Sequence, residues 1–187
     1  MTTRWGILCG LGLLVLGYFL LPTAALLLPK TSRFPDTWVS KALVHRFDEK
    51  GQLEQQLSMD SWIHYSDNTI RMENLDLKIY HQTLLLWHAG AEEGSGYQSG
   101  QDISWTNQLT LKKSVTMTRF LPTQAQVWRL NTDELQLTPD EAYTDALALL
   151  TGPGQTFIQS TGARVNLHTG DIQLLSEVKS HYDISTL

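Results

Sequence analysis

Residues 109–118 read LTLKKSVTMT, and this stretch has the clearest two-residue periodicity in the chain. Its apolar side chains share one parity, and its threonines share the other. The apolar set is Leu109, Leu111, Val115 and Met117. Because successive side chains of a β-strand point to opposite faces of the sheet, the pattern predicts a half-buried strand, or two strands that meet at a bend near Lys113.

Segments before this stretch repeat the pattern. Residues 39–47 and 53–65 are predicted to form a hairpin around the turn DEKG. In the strand that follows, the apolar parity changes between Met72 and Leu75, which predicts a bulge near Asn74. The glycine-rich residues 90–100 are then predicted to form a loop or a sheet edge.

Segments after this stretch are shorter, and residues 172–174 and 178–182 are predicted to form two separate short strands. Residues 142–150 could form a short helix by composition, but their position between two turns favours a strand. A weak repeat relates residues 132–137 to residues 161–167, with a fainter copy at residues 107–111. Each copy is a small polar turn followed by two apolar residues on one face. The predicted fold is all-β: a sandwich, a jelly roll or a stacked-strand solenoid.

The N-terminus has a different composition. Residues 5–28 read WGILCGLGLLVLGYFLLPTAALLL and contain no charged residue. A bilayer core of roughly 30 Å needs about 20 apolar helical residues, so this run can span it. Because the run continues past the small residues that could form a cleavage site, we favour an uncleaved signal-anchor over a cleaved signal peptide. The predicted organisation is an N-terminal transmembrane anchor (residues 1–29), a short linker (residues 30–37) and one β domain (residues 38–187).

No constellation of catalytic residues is visible in the sequence. The 187 residues carry a net charge of −5 and no basic stripe, which argues against nucleic-acid binding. The β domain contains no cysteine, no Gly-x-Ser-x-Gly motif and no phosphate-binding glycine loop. His81, His88 and Glu92 come nearest to a ligand set, but their spacing matches no known metal site. The sequence therefore predicts no catalytic residue, no metal, no cofactor and no enzymatic activity.

Three stretches resemble the LptC family, the single-pass inner-membrane components of lipopolysaccharide export in Gram-negative bacteria. The first is FDEKGQL at residues 47–53, which is similar to the family's opening hairpin. The second runs from Leu135 to Gly162. The third, VKSHY at residues 178–182, is similar to the family's closing strand. The length and the single N-terminal anchor fit the same family.

The resemblance implies a transport role without catalysis. The domain would be an open β-jelly roll, a twisted antiparallel sandwich, in the periplasm, and the anchor would hold it at the inner membrane. Its apolar interior would accept the lipid A acyl chains of lipopolysaccharide from the ATP-driven extractor LptB/LptF/LptG and pass them to LptA. The jelly rolls would stack edge to edge, with the C-terminal strands towards LptA.

Parity and the resemblance together nominate a set of groove residues. These are Leu111, Val115, Met117, Leu135, Leu137, Val165 and Leu167. Gly162 is expected at a tight turn or a close approach, and Val178 and Tyr182 are expected in the edge strand offered to LptA. The alternative from a different class is an anchored periplasmic scaffold that docks envelope proteins without binding lipid.

Overall fold

The described part of the chain is one sheet of antiparallel strands. The computed structural model describes residues 33–98, 108–121, 127–153 and 156–181. Within these ranges nine strands follow one another in the sheet in the order of the sequence. They are β1 (Pro35–Phe47), β2 (Leu53–Tyr65), β3 (Thr69–His81), β4 (Leu84–Tyr97), β5 (Leu109–Phe120), β6 (Val127–Leu137), β7 (Glu141–Thr151), β8 (Phe157–Asn166) and β9 (Ile172–His181).

Short polar turns connect most of the neighbouring strands. In the β1–β2 turn the Asp48 carboxylate accepts hydrogen bonds from the backbone N–H groups of Lys50 and Gln52, at 2.9 and 2.7 Å. In the β8–β9 turn the Asn166 side-chain oxygen accepts from the backbone N–H groups of His168 and Thr169. Asp and Asn side chains favour turns because they can bond to backbone groups two or three residues further on. Every pair of neighbouring strands is antiparallel.

A transverse line of backbone irregularities crosses the sheet, and we call it the fold line. Positive φ angles occur along it at Lys41 in β1, Asn74 in β3, Lys113 and Ser114 in β5, and Gly162 in β8. The register places these positions opposite one another, and five of the pairings shift there. Bulges and left-handed residues bend a strand sharply, so the whole sheet folds along one line.

The buried parity changes at the fold line in most strands. In β3, Ile70 and Met72 are buried before it, and Leu75 and Leu77 are buried after it. A left-handed residue turns the next side chains to the other face, which keeps apolar side chains inward on both sides of the bend. The fold line therefore divides the sheet into two half-sheets. Half-sheet A carries the β1–β2, β3–β4, β5–β6 and β7–β8 connections, and half-sheet B carries the other four.

Contacts between the half-sheets close the fold. The indole Nε1 of Trp87, on half-sheet A, donates a hydrogen bond of 2.9 Å to the carbonyl oxygen of Leu167 on half-sheet B. The Arg119 guanidinium donates to the carbonyl oxygens of Gly170 and Thr169, at 2.6 and 2.9 Å, and lies 5.8 Å from the centre of the Trp87 ring. The two apolar inner faces therefore lie against each other and form one core.

Several sequence predictions hold within the described residues. The all-β class is confirmed, residues 142–150 are strand, and the chain bends at Lys113. The parity change between Met72 and Leu75 is also confirmed. However, the register of β3 with β2 and β4 is unbroken around Asn74. The parity change therefore comes from the left-handed backbone of Asn74 and not from an inserted residue.

Three predictions need correction. Residues 90–97 are not a loop but the second half of β4, in the middle of the sheet. A side chain at Gly94 would overlap Leu75, so the glycine permits close packing at this position. β1 begins at Pro35, inside the predicted linker, because its first residues pair with the end of β2. Residues 172–181 form one continuous strand and not two.

All nine strands belong to one compact unit, Phe34–Leu187. Nowhere in the described ranges does a helix reach the length and hydropathy that crossing a bilayer requires. The predicted anchor at residues 1–29 lies outside the described residues.

Candidate functional site

The seven nominated groove residues all lie on the inner faces of the two half-sheets. Val115 and Met117 lie on half-sheet A, and the other five lie on half-sheet B. Each retains 6% or less of its accessible surface: Leu111 0%, Val115 1%, Met117 1%, Leu135 0%, Leu137 4%, Val165 1% and Leu167 6%. The structure therefore brings the seven together in one apolar interior. Their contact with lipid stays a prediction.

The outer face of the same strands is polar. Thr116 is exposed, and Thr110 and Gln136 are half-buried on that face. Lys112 pairs with Glu134 at 3.2 Å across β5 and β6. No charged side chain is buried among the described residues. Since unpaired charges are excluded from apolar surroundings, an interior of this kind suits hydrocarbon and not ionic ligands.

An apolar cavity of about 120 Å³ lies in the N-terminal third of the sheet. It spans the fold line between β1, β2 and β3. Its lining residues are Val39, Ala42, Val44, Leu57, Met59, Trp62, Ile70 and Met72. Val39 is 39% exposed and Trp62 is half-buried, so these two lie at its mouth. None of the eight was nominated from the sequence, although the parity of Leu57, Met59, Ile70 and Met72 would have found half of them.

A smaller cavity, of about 20 Å³, lies where the two half-sheets meet. Leu77 and Ile79 of half-sheet A face Leu137 and Leu167 of half-sheet B across it. Gln55 and Arg46 complete its lining together with Thr138 and Pro139. Two of the nominated groove residues, Leu137 and Leu167, thus lie at a seam between the half-sheets.

The outer strands of the sheet present apolar side chains to solvent. β1 pairs with β2 alone, and β9 pairs with β8 alone. On β1, Trp38 is 70% exposed and Leu43 is 57% exposed. On β9, Val178 is 54% exposed. A sheet edge with exposed apolar side chains is a suitable surface for the addition of another strand.

Gly162 lies on the fold line with a φ of +82°. A Cβ there would meet the Leu175 side chain at 3.0 Å and the Thr144 carbonyl oxygen at 3.3 Å. The position therefore combines a left-handed backbone with a close approach, as the sequence suggested. Tyr182 lies outside the described residues.

Charged groups gather on the outer side of the fold line. The Lys113 ammonium donates a hydrogen bond of 2.7 Å to Glu93 Oε1, and Arg71 lies 3.3 Å from the same oxygen. The hydrogen bond from Lys113 holds the pKa of Glu93 below its ordinary value and raises the pKa of Lys113. In the part of the chain that the structure describes, no cluster of His, Cys, Asp and Glu could hold a metal ion. His88 instead pairs with Asp76.

The sequence matches the model of one protein family over residues 7–183. That family is described as lipopolysaccharide-assembly, LptC-related. This chain belongs to the LptC-related family. The match spans nearly the whole chain, and it confirms the resemblance first seen in the three short stretches. Family membership supports a role in lipopolysaccharide transport.

A solved structure supports the fold independently. LptH from Pseudomonas aeruginosa, described as the LptA-homologous periplasmic component of the lipopolysaccharide transport device, is similar to the chain with a TM-score of 0.50. The two share 5% sequence identity over 79% of this chain and 94% of LptH. The two chains therefore share the LptA-like fold although their sequence identity is very low. No sequence among the curated proteins matches this chain significantly.

Proposed function

We propose that this protein is a membrane-anchored periplasmic component of lipopolysaccharide transport. It accepts lipopolysaccharide from the LptB/LptF/LptG extractor and passes it to LptA. The observation that carries the proposal is the interior of a folded sheet in an LptC-related chain, apolar on both half-sheets and free of buried charge in the described residues.

An apolar interior offers acyl chains a path that excludes water. Transfer of apolar surface out of water contributes about 25 cal/mol per Å², so a long acyl chain gains substantially from entry. The larger apolar cavity measures about 120 Å³. Cavities for drug-sized ligands measure about 300–1,000 Å³, so entry of an acyl chain requires the half-sheets to move apart. In this proposal the fold line acts as the hinge.

The two sheet edges supply the connections to the partners. β1 would face the extractor and β9 would face LptA, each by strand addition. Trp38 and Leu43 offer apolar surface on β1, and Val178 offers it on β9. Residues 1–29 would hold the domain at the inner membrane, beside the extractor. ATP hydrolysis by the extractor would give the transfer its direction.

A pair of matched variants tests lipid uptake. Val39 lines the apolar cavity and is 39% exposed, whereas Val127 on β6 is also 39% exposed but does not line the cavity. The full-length chain is purified from membranes and its bound lipopolysaccharide is quantified, together with the captured extractor. We expect Val39→Glu to lose bound lipopolysaccharide while it keeps the extractor, and Val127→Glu to keep both.

The scaffold alternative gives a different result. A protein that only docks envelope partners would retain the extractor and carry no lipopolysaccharide in the wild-type chain or in either variant. That outcome would refute lipid uptake and leave the docking role in place.

A further inference from the structure

The β8–β9 turn, residues 167–171, belongs to half-sheet B and contacts half-sheet A, and we call it the strap. On its own half-sheet the Leu167 N–H donates a hydrogen bond of 2.8 Å to the Asp140 carbonyl oxygen. The His168 Nε2 atom lies 2.8 Å from the Asp140 carboxylate. The strap is therefore tied to half-sheet B through the neighbouring β6–β7 turn.

Half-sheet A holds the strap through Trp87 and Arg119, which are register partners on β4 and β5. The Trp87 indole donates to the Leu167 carbonyl oxygen. The Arg119 guanidinium donates to the carbonyl oxygens of Gly170 and Thr169. Leu167 also lines the small cavity where the half-sheets meet, so release of the strap uncovers this seam.

Gly170 leaves room for the guanidinium. Its φ is +75°, and a Cβ built there would overlap the end of the Arg119 side chain. Gly51, in the β1–β2 turn, has a φ of +76° and no atom within 4 Å of its built Cβ. Backbone conformation alone accounts for the glycine at position 51. At position 170 the glycine also permits the contact with Arg119.

Arg119 is a cation whose hydrogen-bond acceptors are neutral. Both acceptors are main-chain carbonyl oxygens, and among the described residues no carboxylate pairs with the guanidinium. The side chain is half-buried, so a ligand from solvent can reach it. A phosphate group accepts two parallel hydrogen bonds from a guanidinium, and these are stronger because both partners are charged. An arriving phosphate can therefore displace the two carbonyl oxygens.

We propose that Arg119 binds a phosphate group and that this binding releases the strap. The inference rests on the proposed function, in which the half-sheets move apart, and it supplies the signal for that movement. The phosphate oxygens accept the hydrogen bonds that Gly170 and Thr169 accepted before. The Trp87 hydrogen bond alone holds the strap less strongly than the three bonds together, so the half-sheets separate more often about the fold line. The phosphate belongs to a lipid headgroup or is free in solution.

The test measures the distance between the half-sheets by electron spin resonance, on the full-length chain in nanodiscs. Cys9→Ser removes the only cysteine, and spin labels are attached at Gln173→Cys on half-sheet B and Leu84→Cys on half-sheet A. Both positions are exposed. One arm adds inorganic phosphate at constant ionic strength, and the other adds phosphatidic acid to nanodiscs of phosphatidylcholine. We expect the population with the longer distance to rise about tenfold, the effect of one net hydrogen bond.

Two variants release the strap from opposite sides. Arg119→Gln removes the guanidinium, and Gly170→Ala displaces it from the turn. We expect both to show the longer distance without phosphate and to respond no further to phosphate. Gly51→Ala is the matched control, because it has the same left-handed backbone and no neighbour at its Cβ, and it should respond like wild type. Arg119→Lys, which keeps the charge but loses the planar fork of donors, replaces Arg119→Gln if that variant does not fold.

An unchanged distance in wild type with both phosphate sources would overturn the inference. An equal response of Arg119→Gln to phosphate would also overturn it, because the phosphate would then act at another site. A response to phosphatidic acid alone assigns the group to a lipid headgroup, and a response to both sources assigns the site to phosphate in general. Lipopolysaccharide bound to the same samples is quantified separately. A wild-type strap that responds to phosphate in a chain without lipopolysaccharide would refute lipid uptake and leave the phosphate site in place.

Discussion

Trp87 and Leu167, eighty positions apart, are joined by a hydrogen bond of 2.9 Å from the indole Nε1 to the main-chain carbonyl oxygen. Trp87 belongs to β4 on half-sheet A, and Leu167 follows β8 on half-sheet B. Both residues are buried, at 2% and 6% exposure. This bond ties the two half-sheets together at the end opposite the fold line.

Replacement of Trp87 by phenylalanine removes this bond and keeps a large aromatic ring. The Leu167 carbonyl oxygen loses its donor in a buried position. We expect the free energy of unfolding to fall by about 1–3 kcal/mol, measured by chemical denaturation. Trp38→Phe is the control, because Trp38 is 70% exposed and its loss should change stability little. Equal stability of the two variants would show that the hydrogen bond between Trp87 and Leu167 does not stabilise the contact between the half-sheets.

Gly162→Ala tests the fold line. An alanine at φ +82° costs about 1–2 kcal/mol from its backbone alone, and its Cβ would press on Leu175 and the Thr144 carbonyl oxygen. Gly51→Ala is the matched control, since Gly51 has φ +76° and no atom within 4 Å of a built Cβ. We expect the melting temperature to fall further for Gly162→Ala than for Gly51→Ala. An equal fall in melting temperature would mean that the close contacts at Gly162 add nothing to the cost of the left-handed backbone.

The sequence predicts much of the fold because most strands keep one apolar parity on each side of the fold line. Residues 109–118 reveal both a strand and its bend, since polar residues occupy the bend and apolar ones flank it. The copies at residues 132–137 and 161–167 mark the fold line in β6 and β8 in the same way. The prediction of a loop at residues 90–100 was wrong for β4 because of its glycines. The sequence does not distinguish a glycine required for close packing, such as Gly94, from a glycine in a loop.

The candidate site was predicted less completely than the fold. Parity assigns Leu111 and Val165 to the inner face, and both are buried there. Parity cannot tell which inner residues border a cavity, because that depends on how the two half-sheets meet. The apolar cavity at Val39 and Trp62 arises where the neighbouring strands β1, β2 and β3 cross the fold line, and the seam at Leu137 and Leu167 arises where the two half-sheets meet.

The ion pair between Lys113 and Glu93 gives the fold a pH dependence. The pKa of Glu93 is lowered from 4.5, so its contribution is present above that value and is lost as the pH falls through the folded pKa. The pKa of Lys113 is raised from 10.5, so its contribution is present below that value and is lost as the pH rises through the folded pKa. The pair therefore stabilises the fold between these two limits.

Glu93→Gln should lower the melting temperature slightly near neutrality, and the difference from wild type should shrink as the pH falls through the lowered pKa of Glu93. Salt should reduce the difference, because the pair is exposed. Glu49→Gln, in the exposed β1–β2 turn, is the control and should match wild type throughout. A difference between Glu93→Gln and wild type that stays unchanged as the pH falls from neutrality into the acid range would assign the effect to packing.

Val178→Lys tests the β9 edge. The Val178 side chain is 54% exposed, so a lysine leaves the core intact while it places a charge on the surface proposed for LptA. We expect capture of LptA by the full-length chain to be lost and assembly with the extractor to be retained. Leu147→Lys, at a position 48% exposed on the interior strand β7, should leave both unchanged. Retained LptA capture in Val178→Lys would exclude this edge as the docking surface.

Photo-crosslinking on the two faces of the sheet tests the central claim, that the interior carries lipopolysaccharide. A photo-reactive residue is placed in the full-length chain in cells, in turn at the inner positions Met117 and Leu135 and at their outer neighbours Thr116 and Gln136. The account predicts that lipopolysaccharide is captured from Met117 and Leu135 and not from Thr116 or Gln136. Equal capture from both faces, or capture from the outer face alone, would contradict it.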